Sequence, residues 1–399
     1  MSVAPNSGNR HEFGVRQLRQ NSPTLKVIGT LEHIERDAWN ALAGQHPFLR
    51  HEFLHALHET GCACEQTGWT PQYLTLWDEA SLVGAMPLYL KSHSYGEYVF
   101  DWAWAEAYHR HGLEYYPKVL GAIPFSPVTG PRLLTRGPAA AAILARAALE
   151  LAQEEASSLH VLFPTEPETR VLEAAGLMLR QGVQFHWENR GYADFDEFLS
   201  DLSSAKRKKI RQERRRVHDI GVQFRRLTGG EIRDEHWSFF ARCYNATYRA
   251  HQSTPYLNLR FFRRLGSAMP DNVLLVLAEL DGKPIACALN IFSQTTLYGR
   301  YWGSVSHVPL LHFETCYYQA MEFCIERGIR LFEGGAQGEH KLARGFMPVQ
   351  TWSAHWLKHP QFADAVETFL ARERVGVGRY LDELRERAPF RHRLGADCQ

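Results

Sequence analysis

Glu333, Gln337, Glu339, His340, Lys341 and Arg344 fall within twelve residues of one another. A carboxylate, an imidazole and an amine at that spacing can take a proton from an attacking amine and stabilise an oxyanion. Glu333 is the first choice as base or amine-orienting group, and His340 the second. Lys341 and Arg344 are the groups to hold an oxyanion or a donor phosphate. A short apolar run, Ile329, Leu331 and Phe332, precedes the cluster and reads as a buried strand. A Gly-rich turn follows, and Thr351–Leu357 reads as the next strand. Ligands of open α/β sheets bind at the C-terminal ends of strands. The plainer reading is a solvated turn, in which Glu333 only pairs with Lys341 or Arg300.

The elements that position this cluster follow from the pattern around it. Leu310–Gly328 is a predicted helix, with Glu314 in its first turn. Thr296–Gly303 is a predicted strand. Its Tyr298, Arg300 and Trp302 alternate to one face and Tyr301 to the other, and Tyr298, Arg300, Trp302, Glu314 and Gln337 are candidates to hold substrate. Upstream, Val273–Phe292 folds back at Asp281-Gly282, a strong turn pair. The arrangement is repeated. A shift of 169 positions brings Leu162–Trp187 onto Leu331–Trp356 with eight identities in 26 ungapped positions. Tyr73–Leu90 likewise echoes Leu275–Phe292. The reading is a duplicated α/β domain. The copies differ where chemistry sits: Pro164, Val171 and Leu172 in one, Glu333, His340 and Lys341 in the other.

Two further stretches stand out. Tyr95–Pro131 is dense in aromatic residues and turn markers, and Trp102, Trp104 and Tyr108 are candidates to line a pocket; filling a core is the competing reading. In Phe195–Val222, eight of the eleven residues Lys206–Arg216 are basic, opposite an apolar stripe. Lys206, Lys208, Arg211 and Arg215 are candidate anion-binding residues for RNA or a nucleotide-linked substrate; a solvated charged face is the alternative.

Composition narrows the classes. Lys plus Arg number 45 against 44 Asp plus Glu, so attraction to a polyanion must be local. The seven Cys have no zinc or redox spacing and suggest reduced thiols in a cytoplasm-like compartment. No metal motif, signal core or membrane-length apolar run appears, and the expectation is a cytoplasmic protein without a metal or a transmembrane segment.

The order strands, helix, strand–turn–strand is that of the GNAT acyltransferase core, without the usual R/Q-x-x-G-x-G/A pyrophosphate loop. His46–Leu57, Lys206–Gly221 and Tyr298–Phe346 resemble the FemAB-like group of that superfamily, named for peptidoglycan biosynthesis or recognition. The resemblance covers roughly residues 25–371. It implies tandem GNAT-like domains with mixed sheets flanked by helices. True Fem transferases move an amino acid from aminoacyl-tRNA onto a peptidoglycan-precursor amine. Their acidic residue after the strand, then Lys and Phe-Gly, is similar to Glu333, Lys341 and Gly345-Phe346, with the last pair reversed. Their long helical arm is absent here. The implied function is an N-acyltransferase that takes acyl-CoA or aminoacyl-tRNA as donor and an amine-bearing small molecule or cell-wall precursor as acceptor, with no other cofactor assigned. The alternative is a non-catalytic module of the same fold that binds RNA or a peptidoglycan precursor. The expected organisation is a disordered tail over 1–23, one half with the aromatic insertion over 24–190, the second with basic helix and reactive site over 191–375, and a helical tail over 376–399.

Overall fold

The computed structural model describes Arg16, Gln17, residues 23–335 and residues 338–391. Most of the expected N-terminal tail, Gln337, and residues 392–399 of the expected C-terminal tail lie outside the described residues. In chain order the strands are β1 Arg16–Gln17, β2 Thr24–Ile28, β3 Trp69–Pro71, β4 Tyr73–Asp78, β5 Ser81–Met86, β6 Leu88–Lys91, β7 Lys118–Gly121, β8 Leu134–Thr135, β9 Ser158–Leu162 and β10 Met178–Glu188. They continue with β11 Gln223–Thr228, β12 Val273–Leu280, β13 Lys283–Phe292, β14 Thr296–Ser304, β15 Leu331–Glu333 and β16 Met347–Leu357.

A small sheet has the order β1-β2-β4-β5-β8, and a large one β11-β12-β13-β14-β15-β10-β16-β9-β7-β6-β3. The hairpin β12–β13 stays in the large sheet. Its earlier echo breaks at Pro87, which has no N–H for a ladder: β5 goes to the small sheet and β6 to the large one.

The centre of the large sheet is an exchange. The first repeat unit supplies β9 and β10, and the second supplies β15 and β16. Neither unit pairs its own two strands: β9 lies against β16, and β10 between β15 and β16. The 169-residue shift carries Met178–Glu188 onto Met347–Leu357, the bounds of β16. The glycines before these strands, Gly176 and Gly345, both take left-handed backbone angles, φ 97° and 91°. Gly182 pairs with Thr351, its own copy, so a pseudo-twofold axis crosses the sheet there. A Cβ at Gly182 would lie 2.9 Å from the Thr351 hydroxyl, a close approach that only glycine permits.

The first strand of each unit departs from the 169-residue shift. His160 faces His355, whereas Glu333 faces His186. His186 and His355 are copies, so the counterpart of Glu333 is His160 and not a residue beside Pro164. The connection after β9 holds the nine-residue helix Glu166–Ala174, and the one after β15, among the described residues, the 3-10 turn Glu339–Arg344. The shorter connection moves β15 four positions along the sheet. The identities at Leu162/Leu331 and Phe163/Phe332 are therefore not structurally equivalent.

Several expectations change in detail. The aromatic segment is not irregular throughout, because Trp102–Arg110 is a helix and β7 follows it. Trp104 and Tyr108 are buried with Leu357, Val366 and Leu370, so the pocket-lining role expected of these two gives way to core packing. The stretch expected as one basic helix is two, Phe195–Asp201 and Ser204–Asp219, separated at Leu202 and Ser203. The last helix runs unbroken from Pro360 to Glu386, past the boundary expected at Val375.

Candidate active site

β14 and β15 run parallel, and they pair only where Thr296–Tyr298 meets Leu331–Glu333. Beyond that point β14 continues to Ser304 against β13, while β15 ends at Glu333. The pairing of the two strands therefore ends at Tyr298 and Glu333, and we call the opening beyond it the V. A pocket of about 110 Å³ opens there, between the β14 backbone, Asn290, His312, Cys316 and Gly334. Asn290 is 1% exposed, and its Nδ2 has no hydrogen-bond partner among the described residues. A buried amide left unpaired costs free energy that a ligand carbonyl or hydroxyl can recover.

Glu333 ends β15. It is 6% exposed, and its Oε2 has no partner among the described residues. Burial raises its pKa to about 8, against the opposing pull of Arg300, Arg132 and a backbone hydrogen bond from Thr129. Tyr298 stands opposite Glu333 across the parallel pair, and its ring lies 5.1 Å from Phe48 and 5.6 Å from His46. Burial holds His46 neutral, lowering its pKa to about 4; its Nε2 meets the Thr129 carbonyl at 3.0 Å and its Nδ1 has no partner among the described residues.

Lys341 and His340 sit on the turn Glu339–Arg344. Gly338 starts that turn, and Gly345 closes it with left-handed geometry. Lys341 is 5% exposed, and burial lowers its pKa to about 8. Its Nζ donates to the Gly335 carbonyl at 3.3 Å, and its charge reaches Cys316 of the pocket wall and His186 opposite Glu333. The His340 Nε2 lies 3.0 Å from the Tyr317 hydroxyl. Tyr317 lines the pocket with Phe332 and Gly334, while Glu333, between those two in sequence, is under the influence of Arg300, Arg132 and Thr129, and Lys341 lies beside Cys316 of the pocket wall.

Three sequence expectations are corrected here. Arg344 is 3% exposed; its guanidinium bonds Glu213 at 2.8 Å, the Tyr318 hydroxyl at 3.0 Å and the His340 carbonyl at 2.7 Å, and stacks on Phe313. These partners leave it a structural cation rather than an oxyanion ligand. Glu314 forms a two-pronged pair with Arg214 at 2.9 and 3.1 Å and faces the basic helix, so it does not orient substrate in the V. The simple alternation of β14 fails because the pairing register slips between Leu289 and Asn290. At this bulge the consecutive side chains of Arg300 and Tyr301 reach the same acceptor, the Phe125 carbonyl, at 2.7 and 2.9 Å. Trp302 does line the pocket, with its ring 4.9 Å from His312. Trp102 lies apart, 40% exposed and against Tyr95.

The basic helix turns Ile210, Glu213 and Val217 inward and leaves Lys208, Arg211 and Arg215 exposed, with Lys206 half-buried. Arg211 pairs with Asp196, and Arg215 lines a groove of about 710 Å³ with Arg214 and His218. Sequence reasoning missed Asn290, His46 and Arg132. A lone Asn in the apolar run IACALNIF was the available signal for the first. Among the described residues no cluster of His, Cys, Asp or Glu has metal-binding geometry, and no helix is long and apolar enough to cross a membrane.

A family model described as FemAB-like, peptidoglycan biosynthesis/recognition, matches residues 30–392. Among solved structures the chain is similar to FemX at 14% identity, covering 84% of this chain and 99% of that one with a TM-score of 0.53. It is also similar to L-PGS from Bacillus licheniformis at 9% identity, covering 84% and 97%, with a TM-score of 0.51. A tandem GNAT protein from the clavulanic acid biosynthesis pathway follows at 12% identity, covering 84% and 99%, with a TM-score of 0.46. No curated protein matches the chain. The fold is α/β, with mixed sheets flanked by helices, and it is shared with FemX and L-PGS.

Proposed function

We propose, from the premise that the chain belongs to the FemAB-like family of peptidoglycan biosynthesis/recognition proteins, that it is an N-acyltransferase acting on an amine of a peptidoglycan precursor. The observation that carries this reading is the buried, incompletely bonded Glu333 carboxylate at the end of β15, whose chain neighbours Phe332 and Gly334 line a pocket. Pure binding does not need a carboxylate whose pKa is about 8, whereas a general base working near neutrality does.

In this reading the donor carbonyl enters the V beside Asn290. The acceptor nitrogen attacks the carbonyl carbon, and the Glu333 carboxylate takes the N–H proton. The Lys341 ammonium stabilises the resulting oxyanion. Collapse breaks the C–O bond of an aminoacyl ester or the C–S bond of a thioester, and Glu333 returns the proton to the departing oxygen or sulfur. His340 orients the Tyr317 hydroxyl at the pocket wall. Tyr298 and Arg300 fix the walls on the other side.

The donor is an aminoacyl-tRNA or an acyl-CoA, and the outer face of the basic helix favours a polyanionic carrier. Lys208, Arg211 and Arg215 point away from the core, where counterion release supplies affinity. The same face also supports the second reading, a module that binds RNA without catalysis. We assign the reaction to the cytoplasm, where both donors occur. The test is acyl transfer from each donor class to an amine-bearing precursor, followed by mass spectrometry. Turnover by the wild-type chain and its loss in Glu333→Gln support transfer. Polyanion binding without transfer from either donor supports the module.

A further inference from the structure

Residues 126–131, between β7 and β8, belong to no helix or strand, yet their carbonyls are taken one after another by side chains. Gln184 donates to the Pro127 carbonyl at 2.7 Å, and Arg132 to those of Val128 at 2.7 Å and Gly130 at 2.8 Å. The His46 Nε2 takes the one between, at Thr129, at 3.0 Å. The Gly130 N–H closes on the Phe163 carbonyl at 3.2 Å. Four successive carbonyls are thus satisfied without a ladder, and the segment is a strap held in one conformation. Its Thr129 N–H donates to the Glu333 carboxylate, so the strap brings a backbone donor to the candidate base.

His46 is half-buried, just before the buried turn Pro47–Leu49. A carbonyl only accepts, so the Nε2 carries a proton, and loss of water keeps the ring neutral. Ring and strap touch: a Cβ at Gly130 would lie 2.5 Å from the His46 Nε2. The two peptide groups that meet at Thr129 are held separately. Arg132 fixes the one that carries the Thr129 N–H, through the Val128 carbonyl, and His46 fixes the next. Arg132 also acts on Glu333 through its charge, whereas neutral His46 has no charge to act with. The other groups that face Glu333 are Arg300 and Tyr298 from β14 and His186 opposite it on β10. Burial holds His186 neutral, with Lys341 adding to the effect from its turn.

We infer that His46 is a positioning residue for Glu333, pinning the Thr129 carbonyl so that the Thr129 N–H stays on the carboxylate. The inference rests on the acyl-transfer reading for its purpose, but its geometry needs no turnover. An N–H donated to a carboxylate favours the charged form. Without it the Glu333 pKa rises above about 8, and less of the base is ready near neutrality.

The experiment is an infrared titration of the Glu333 carboxyl in the full chain, with Glu333→Gln as the blank. The wild-type group is expected to titrate near pH 8. His46→Phe keeps a ring against Phe48 and Tyr298 but cannot donate, and should move the titration up by about one pH unit. His46→Gln offers an amide N–H to the same carbonyl and should restore the wild-type position. Gly130→Ala pushes the ring off the strap and should repeat the shift, which covers a His46→Phe chain that does not fold. In transfer assays the rising limb of kcat should follow the carboxyl. Turnover at pH 7 then falls roughly tenfold in His46→Phe with KM unchanged.

A carboxyl unmoved in the folded variants, or moved as far by His46→Gln as by His46→Phe, overturns the inference. If Glu333→Gln abolishes transfer while His46→Phe and Gly130→Ala leave the carboxyl in place, the base stands and the strap falls. If the carboxyl moves as expected in a chain that transfers nothing, the strap stands and the transfer reading falls.

Discussion

The two halves each bring a strand parallel to the first strand of their repeat unit, and the two junctions end differently. In the second half β14 and β15 part and leave a pocket. In the first half β7 pairs with β9 over Val119–Gly121, and the space past β9 is filled by Arg132, which is fully buried. Its guanidinium donates to the carbonyls of Leu162 at 2.9 Å, Gly130 at 2.8 Å and Val128 at 2.7 Å. The Glu168 carboxylate holds the backbone N–H groups of Arg132 and Leu133. The strand residues follow suit. His160 is bonded by His355, Tyr115 and Ser158, and burial lowers its pKa to about 3. Its counterpart Glu333 keeps an unpaired oxygen. At the first junction the strand imidazole is bonded from within, and at the second the strand carboxylate keeps an oxygen for a ligand. A duplicated fold needs only one open junction to react, and the closed one can serve as a rigid wall.

Substitutions on the two sides test that contrast. The largest expected effect is on chemistry: Glu333→Gln lowers turnover on the order of 10²–10⁴-fold, measured under saturating donor and acceptor. His160→Gln lowers stability and leaves turnover per folded molecule within about threefold, because it acts on packing and not on a reacting group. If the two variants lose turnover alike, the assignment of one reactive junction fails.

Next comes Arg132→Met. Three carbonyls lose their donor inside the core, and urea denaturation should register a loss of roughly 2–4 kcal/mol. An unchanged midpoint would mean that Arg132 does not close the first junction.

The third effect is a pH dependence. Folded Glu333 holds its proton up to about pH 8, whereas an ordinary glutamate carboxyl gives it up near 4.5. The native state therefore binds more protons than the unfolded chain between these values, and this contribution to stability falls as pH rises from about 4.5 to about 8. Glu333→Gln lacks it, so the variant's melting temperature should gain on the wild type across that window. Lys341 changes in the opposite sense but only above about pH 8, outside the window. Turnover through a Glu333 base should rise with pH to about 8. A constant difference in melting temperature from pH 5 to 8 would remove the raised carboxyl.

The smallest effect on the fold belongs to the basic helix. Charge reversal at Lys208, Arg211 and Arg215 should leave the melting temperature within a few degrees and reduce the salt dependence of polyanion binding by roughly three phosphate contacts. An unchanged salt slope makes this face merely solvated.

The repeat was legible in the sequence where a side chain had one role. The glycines at 176 and 345 recur because both turns need a left-handed backbone, and the tryptophans at 187 and 356 recur at corresponding strand positions, the first fully buried and the second half-buried. The exchange of strands was not legible, since an apolar strand pattern specifies a face and not a neighbour. Nor was the counterpart of Glu333, because a four-residue difference in connection length leaves no mark within β9 or β15. The cluster of Glu333, His340 and Lys341 could be read from residue type and spacing. Arg344 and Glu314 looked alike in sequence to those groups, but their partners Glu213 and Arg214 lie 131 and 100 residues away. The aromatic segment misled for the same reason, because Trp104 and Tyr108 are claimed by the last helix.

The exchange also sets a timetable for synthesis. Both sheet neighbours of β10 belong to the second repeat unit, and the later of them ends at Leu357, 169 residues beyond Glu188. At about 5–20 residues per second the ribosome takes roughly 10–30 s to supply them. Throughout that interval β10 waits with two bare edges, a template for pairing between nascent chains. Its sequence, MLRQGVQFHWE, interrupts the apolar residues with Arg180, Gln181, Gly182 and Gln184. The polarity of the central strand, costly for a sheet interior, is what keeps the unfinished chain soluble until its partners arrive.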